Sequence, residues 1–195
     1  MNPASIPNVA MTDTAFALTL VLLLLAPLAI AGVALINTGL GRSRSAAQAL
    51  LGNVALVSVA CIAFFLIGAT FTGASADGHV ILLAGKPWNW LGTGPFFLAG
   101  FSTAPLQSQL TLLFEFLAVA LAALIPWGSG ADRLRLTAGC AAAAVLAAFV
   151  FPLFAHWTWA GGWLAQLGVN FGLGAGFLDP GGAATIHVLG GVSAL

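Results

Sequence analysis

Long runs of apolar residues alternate with short polar stretches along the whole chain. A helix needs about 20 mostly apolar residues to cross a bilayer, because the hydrocarbon core is about 30 Å thick and each residue rises 1.5 Å. Five runs reach or approach this length. They are Ala15–Ile36, Ala46–Thr72, Pro105–Trp127, Leu136–Trp159 and Pro180–Leu195. The pattern predicts an all-α, polytopic membrane helix bundle with about five transmembrane helices.

The last run, Pro180–Leu195, is the shortest and stops where the chain stops. As a helix it would be about 24 Å long, which is less than the thickness of the bilayer core. Either this helix is re-entrant or the chain is cut inside an element. We expect the second, so that the fifth helix is truncated.

The connecting segments differ in length and charge. Two short loops, 41–45 and 128–135, hold four of the five basic residues, and Lys86 lies in a long segment, 73–104. Cytoplasmic loops carry the excess of lysine and arginine. We therefore expect the short loops inside, the long segments 73–104 and 160–178 outside, and the N-terminus outside. Tryptophans near the predicted span ends fit the interfacial belts of membrane proteins.

The composition narrows the classes of function. Apolar residues make up 61% of the chain and charged residues 5%, whereas a soluble domain has about 25% charged residues. We therefore expect no soluble enzyme, and the zero net charge argues against a nucleic-acid partner. Cys61 and Cys140 lie in apolar runs and are interpreted as small hydrophobic residues. We expect no metal site and no cofactor.

The last apolar run carries the most informative polar residues. Asp179 before Pro180 predicts a helix N-cap with proline in the first turn, because the carboxylate accepts backbone N–H groups and proline has none. A helix beginning at Pro180 would place His187 about 10 to 12 Å deeper, where a polar group is costly and usually functional. His187 then binds a ligand or proton, or merely bonds a neighbour. Asp179 likewise has a site role or only a capping role.

Several stretches resemble, in order, those of the Amt/Mep/Rh ammonium transporter superfamily. The clearest runs from Leu178-Asp179 through two glycines to His187-Val188, and its eight-residue step from aspartate to histidine matches the family. The others are Asn-Thr-Gly-Leu at 37–40, Phe-Glu at 114–115, Ala-Asp-Arg-Leu-Arg at 131–135 and His-Trp-Thr-Trp-Ala-Gly-Gly at 156–162. The resemblance covers nearly the whole chain.

The resemblance implies a homotrimer of eleven-helix subunits in the plasma (cell inner) membrane, each subunit with its own pore built from two inverted repeats. Residues 1–195 would be the first repeat. Trp159 matches the tryptophan of the outer vestibule that binds ammonium, and Phe114 matches one of the phenylalanines that gate the entrance. Asp179 matches the aspartate that supports the ammonium site, and His187 matches the first pore histidine. The implied ligands are ammonium, ammonia and methylammonium, and a PII-type regulatory protein is an implied partner.

Two departures from the family pattern leave the function open. Glu115 stands where the family usually has glutamine, and it is either a packing residue bonded to a neighbouring helix or part of a modified cation entrance. Pro180 replaces a Phe-Ala pair, so the glycines fall one position early. We expect transport of ammonium through a histidine-lined hydrophobic pore. The alternatives are a receptor module that binds ammonium without conducting it, and a structural membrane subunit.

Overall fold

Helices long enough to cross a membrane form the body of the molecule. The computed structural model describes residues 12–41, 46–73 and 79–195. In these ranges four helical spans are long and apolar: α1 (Asp13–Leu40), α2 (Ala46–Thr72), α3 (Leu106–Gly130) and a fourth over Leu136–Phe171. The prediction of an all-α, polytopic membrane bundle is confirmed. The predicted arginine-rich loop 42–45 lies outside the described residues.

The fourth span is divided into two helices. The first, α4, runs through Leu136–Val145, a π-helical turn Leu146–Val150 and Phe151–Thr158. The chain then turns and forms α5 (Trp163–Phe171), inside the segment that we had predicted to be a loop. The fifth predicted span contains a shorter helix, α6 (Ala183–Ser193).

Two π-helical turns face each other where α2 crosses α4. One covers Phe64–Gly68 in α2 and the other covers Leu146–Val150 in α4. Pro152 offers no N–H to the carbonyl one turn before it, and such a defect is a common cause of a widened helical turn. Gly68 fits this crossing because a Cβ there would lie 2.3 Å from the Ala147 carbonyl oxygen. The two backbones are therefore in direct contact.

A β-hairpin occupies part of the long segment between α2 and α3. Its strands are β1 (His79–Leu83) and β2 (Lys86–Leu91), joined by Ala84 and Gly85, both with positive φ. Two such residues are typical of a tight hairpin turn. The hairpin docks on α5, whose Gln166 accepts a hydrogen bond from the Asn89 backbone N–H at 2.8 Å. The sequence reading had predicted only a loop here.

The connections gather at two opposite ends of the bundle, as the predicted topology requires. At one end Gly41, which follows α1, lies against Asp132 in the loop after α3. At the other end the Lys86 ammonium group donates a hydrogen bond to the Asn170 carbonyl. Gly41 and the loop after α3 thus share one end, and the described parts of the two long segments share the other. Which end faces the cytoplasm remains a prediction from the basic residues.

Helix α3 lies at the centre and α1 at the edge. Most of one face of α3 is buried, while α1 exposes most of its leucines. The core is tightest around Phe64, which makes edge-to-face contacts with Phe116 and Phe151 at ring distances of 5.0 and 6.0 Å. Near the other end, the Trp127 indole fits between Gly52 and Gly139.

Two buried asparagines join α1, α2 and α3. The Asn37 amide donates to the Leu124 carbonyl at 3.0 Å, and the Asn53 amide donates to the Ala34 carbonyl at 2.9 Å. We expect Asn37→Ala to lower the free energy of unfolding by about 1 to 3 kcal/mol, because it leaves buried partners unsatisfied. The measurement is thermal or denaturant unfolding in detergent. Ser58→Ala on the exposed side of α2 is the control, and an equal effect of both variants would contradict the prediction.

Candidate functional site

The turn before α6 holds the Asp179 carboxylate against the start of that helix. One oxygen accepts the Ala184 N–H at 3.2 Å, and the other accepts the Thr185 N–H at 2.9 Å and the Thr185 hydroxyl at 2.7 Å. The predicted start of the helix at Pro180 is wrong, because the helix begins at Ala183. Gly182 has a φ of 70° and completes a turn between Asp179 and the helix. The Asp179 carboxylate therefore caps the helix from the residue at which this turn begins.

Hydrogen bonds keep Asp179 ionised although the residue is buried. Burial raises the pKa of its carboxyl group, but hydrogen bonds from Thr185, Ala184 and Ala183 together lower it, and the net pKa lies below the ordinary value of 3.8. Hydrogen-bond donors that bind the ionised carboxylate stabilise it and so lower its pKa. The turn therefore presents a permanent negative charge at neutral pH, next to the N-terminal end of α6.

Trp159 and Phe114 lie directly beside this carboxylate-bearing turn. The Trp159 indole N–H donates to the Asp179 backbone carbonyl at 2.8 Å, and its ring lies 5.3 Å from the Phe114 ring. Trp159 directly follows Thr158, the last residue of α4, so the break in the fourth span positions its ring. Three of the predicted site residues are thus brought together.

His187 lies on α6 and has no recorded contact with the other three predicted residues in the described part of the chain. Ile186 and Leu189 face inward and are buried, whereas His187 is exposed. A Cβ on Gly190 would come within 2.8 Å of the Ile125 side chain, so α6 does approach α3 closely. The imidazole therefore points to the open side of the bundle.

Two threonines, for which the sequence predicted no role, connect the Asp179 cap to α4. The hydroxyls of Thr158 and Thr185 lie 2.9 Å apart, and both residues are buried. Thr158 directly precedes Trp159, so the same chain of hydrogen bonds runs from the Asp179 carboxylate to the end of α4. A polar residue in an apolar helix is the only signal for them in the sequence.

Glu115 is buried in α3, with 2% of its surface exposed. Its side chain lies near Thr72 at the end of α2, and its Oε2 has no hydrogen-bond partner among the described residues. This burial between helices fits the interpretation of a packing residue. Oε2 can still accept a hydrogen bond, which is compatible with the alternative that Glu115 is part of a modified cation entrance.

The ionisable side chains that the structure describes do not form a metal centre. Within the described ranges, no three His, Cys, Asp or Glu residues cluster as metal ligands would. Cys61 and Cys140 are free thiols and are partly rather than fully buried. The arrangement of two aromatic rings beside a carboxylate-bearing turn suits a small cation instead.

Comparison with known sequences decides the family. The profile of the Ammonium Transporter Family matches residues 15–195. The chain belongs to the ammonium transporter family. It is 33% identical to ammonium transporter Amt2 of Archaeoglobus fulgidus, covering 85% of this chain and 33% of that protein. It is 29% identical to the ammonium transporter of Bacillus subtilis, covering 84% and 38%.

A eukaryotic member of the family is also similar. Ammonium transporter 1 member 3 of Solanum lycopersicum is 27% identical over 83% of this chain and 33% of its own length. The chain thus spans about a third of the length of the curated relatives it matches. Family membership and the four apolar spans make it a membrane protein.

Proposed function

We propose that this chain forms part of a pathway that carries ammonium or ammonia, and methylammonium, across the membrane through a histidine-lined hydrophobic pore. The observation that carries the proposal is the position of Asp179. Its carbonyl holds the Trp159 indole, and its carboxylate caps the helix that bears His187. The aromatic pair and the helix that bears the imidazole are therefore both held by Asp179.

The chemistry of each group suits a step of the passage. An aromatic face attracts a cation by about 0.5 to 2 kcal/mol, so Trp159 and Phe114 receive the ion beside the negative Asp179. Deeper in a dry passage the charged form is penalised, whereas neutral ammonia is not. His187 then lines the region where ammonia and its proton separate.

Membership of the family supports a proposal about the assembly and its membrane. We propose a homotrimer in the plasma (cell inner) membrane, with a PII-type regulatory protein as a partner. The long runs of exposed leucine on α1 suit contact with lipid or with a neighbouring subunit. We also propose that residues 1–195 form the first of two inverted repeats, so that His187 faces the second repeat.

Flux measurements test the proposal directly. In the complete gene product, Trp159→Leu should weaken the apparent affinity for labelled methylammonium by about 2- to 30-fold, the equivalent of the cation–aromatic energy. His187→Ala should reduce the maximal flux more than the affinity, because it acts after capture. Val188→Ala, the adjacent exposed residue, is the control. Unchanged flux and affinity in both test variants would refute the site assignment.

A sensing role is the second candidate, favoured by Glu115 and by the altered sequence after Asp179. Under that alternative the protein binds methylammonium with the affinity expected of Trp159 but passes none of it. Binding and uptake measured on the same preparation separate the two functions. Binding without uptake favours the sensor. If the protein shows neither binding nor uptake, only the role of a structural subunit is left.

A further inference from the structure

The Thr158 hydroxyl at the end of α4 bonds both its own helix and α6. It lies 3.0 Å from the Phe154 carbonyl, the usual partner of a threonine inside a helix, and 2.9 Å from the Thr185 hydroxyl. Thr158 is 5% exposed and Thr185 is fully buried. The bond within α4 already satisfies the Thr158 hydroxyl, so its contact with α6 serves another purpose.

The charge on Asp179 fixes the direction of the bond between the two threonines. An ionised carboxylate can only accept, so the Thr185 hydroxyl gives its one hydrogen to the Asp179 carboxylate oxygen. Their distance of 2.7 Å is typical of a hydroxyl bound to a charged oxygen. The Thr185 oxygen is then an acceptor, and the Thr158 hydroxyl supplies the hydrogen between them. The hydrogen bonds therefore run from Thr158 through Thr185 to the carboxylate.

Two adjacent residues thus connect the end of α4 to the turn that carries Asp179. The Trp159 indole N–H donates to the Asp179 backbone carbonyl at 2.8 Å. The preceding residue, Thr158, reaches the carboxylate of the same aspartate through Thr185. One bond alone would leave the indole ring able to pivot about it, whereas two bonds from adjacent residues fix both its position and its tilt.

The other recorded contacts of the Trp159 ring are apolar. The ring lies 5.3 Å from the Phe114 ring and 6.2 Å from the Phe151 ring, and a Cβ on Gly182 would lie 3.4 Å from its edge. Apolar contacts have little directional preference, whereas hydrogen bonds depend on angle. Because the ring is only partly buried, its orientation relative to Phe114 depends on the hydrogen bonds.

We propose that Thr158 is a positioning residue of the cation site, which acts on the Trp159 ring through Thr185 and the Asp179 cap. Thr158 does not touch the ion, and its effect on transport rests on the proposed function. A displaced ring captures the cation less well and leaves the passage beyond it unchanged. Loss of the Thr158 hydroxyl should therefore weaken the affinity and leave the maximal flux close to that of the native protein.

Nuclear magnetic resonance of the complete gene product with isotope-labelled tryptophan observes the ring without requiring transport. The indole N–H resonance of Trp159 is the one that disappears in Trp159→Phe. Thr158→Val removes the hydroxyl at nearly the same shape and should shift or broaden this resonance, and Thr158→Ser should restore it. Thr111→Val is the matched control, because Thr111 is exposed and also bonds the carbonyl four residues before it. It should leave the resonance unchanged.

Methylammonium binding and flux in the same variants test the consequence for the site. Thr158→Val should weaken the apparent affinity by about 2- to 12-fold, the equivalent of one hydrogen bond between neutral groups. Thr158→Ser should bind as the native protein does. In a Thr185→Val background, Thr158→Val should change neither the affinity nor the Trp159 resonance further, because the link to Asp179 is already broken.

The positioning role is refuted if Thr158→Val leaves the Trp159 resonance unchanged, if Thr158→Ser does not restore it, or if Thr158→Val has the same effect on it with and without Thr185. Should Thr158→Val not fold, Thr158→Ala replaces it with the same expected results. A native protein that neither binds nor carries methylammonium would contradict the proposed function, and the resonance would still decide on Thr158.

Discussion

Replacing Asp179 by asparagine should reduce methylammonium flux by about 100-fold in the complete gene product. Hydrogen bonds to a charged group contribute about 1.5 to 3 kcal/mol each, and the Asp179 carboxylate accepts three. A loss of about 3 kcal/mol in holding the turn and α6 corresponds to about 100-fold. Flux and unfolding in detergent are the measurements. Asp13→Asn, an exposed aspartate in the first turn of α1, is the control and should change neither.

The same variant should also change how the free energy of unfolding depends on pH at acidic pH. The pKa of Asp179 is lowered in the folded protein, so the unfolded chain binds this proton at a higher pH than the folded one. The stabilisation is therefore fully present above the ordinary pKa of about 3.8 and is lost as pH falls through the lowered value. Asp179→Asn should remove this loss. The role of the cap would be contradicted if the Asp179→Asn protein had the flux of the native protein and lost stability at acidic pH as the native protein does.

Placing alanine at Gly68 should destabilise the protein by about 2 to 3 kcal/mol, the upper part of the usual range of about 1 to 3 kcal/mol for an overpacked site. Its Cβ would meet the Ala147 carbonyl at 2.3 Å, and a backbone atom cannot rotate away. The matched change Gly32→Ala in α1 meets nothing within 4 Å. It should stabilise by about 0.5 to 1 kcal/mol, because alanine forms helix better than glycine. The two changes thus have opposite expected signs.

Chemical or thermal unfolding of both variants in the same detergent measures this difference. The crossing at Gly68 holds α4, which carries His156 and Trp159, so Gly68→Ala should also weaken methylammonium affinity. Equal changes in the free energy of unfolding at the two positions would show that α2 and α4 are not in backbone contact at Gly68.

The spans could be predicted because hydrophobic length alone determines them. Ala46–Thr72 has the predicted bounds, and the helix before Trp159 ends at Thr158, one residue from the prediction. The proximity of Phe114, Trp159 and Asp179 was predicted only through the family resemblance, and the structure shows their contacts. Spacing alone does not indicate which helices are neighbours.

The remaining features depend on contacts between distant segments. A proline after an aspartate usually marks the first turn of a helix, but Gly182 at φ 70° delays α6 until Ala183. The hairpin and α5 support each other through Asn89 and Gln166, 77 positions apart, and neither has a strong local pattern. The hydrogen bond between the His156 ring and the Thr72 carbonyl likewise joins α4 to the end of α2, and no short motif relates these two residues.

The most direct test of the central claim is the reaction of a cysteine at position 187 with silver ion, a thiol-reactive cation close in size to ammonium. The background lacks Cys61 and Cys140. The account predicts that His187→Cys reacts from the aqueous phase and that methylammonium slows the reaction, because position 187 lines the passage at the point where the ion gives up its proton. A cysteine at Leu24, exposed on α1, should be inert in lipid. A cysteine at position 187 that is as inert as the one at position 24 would contradict the account.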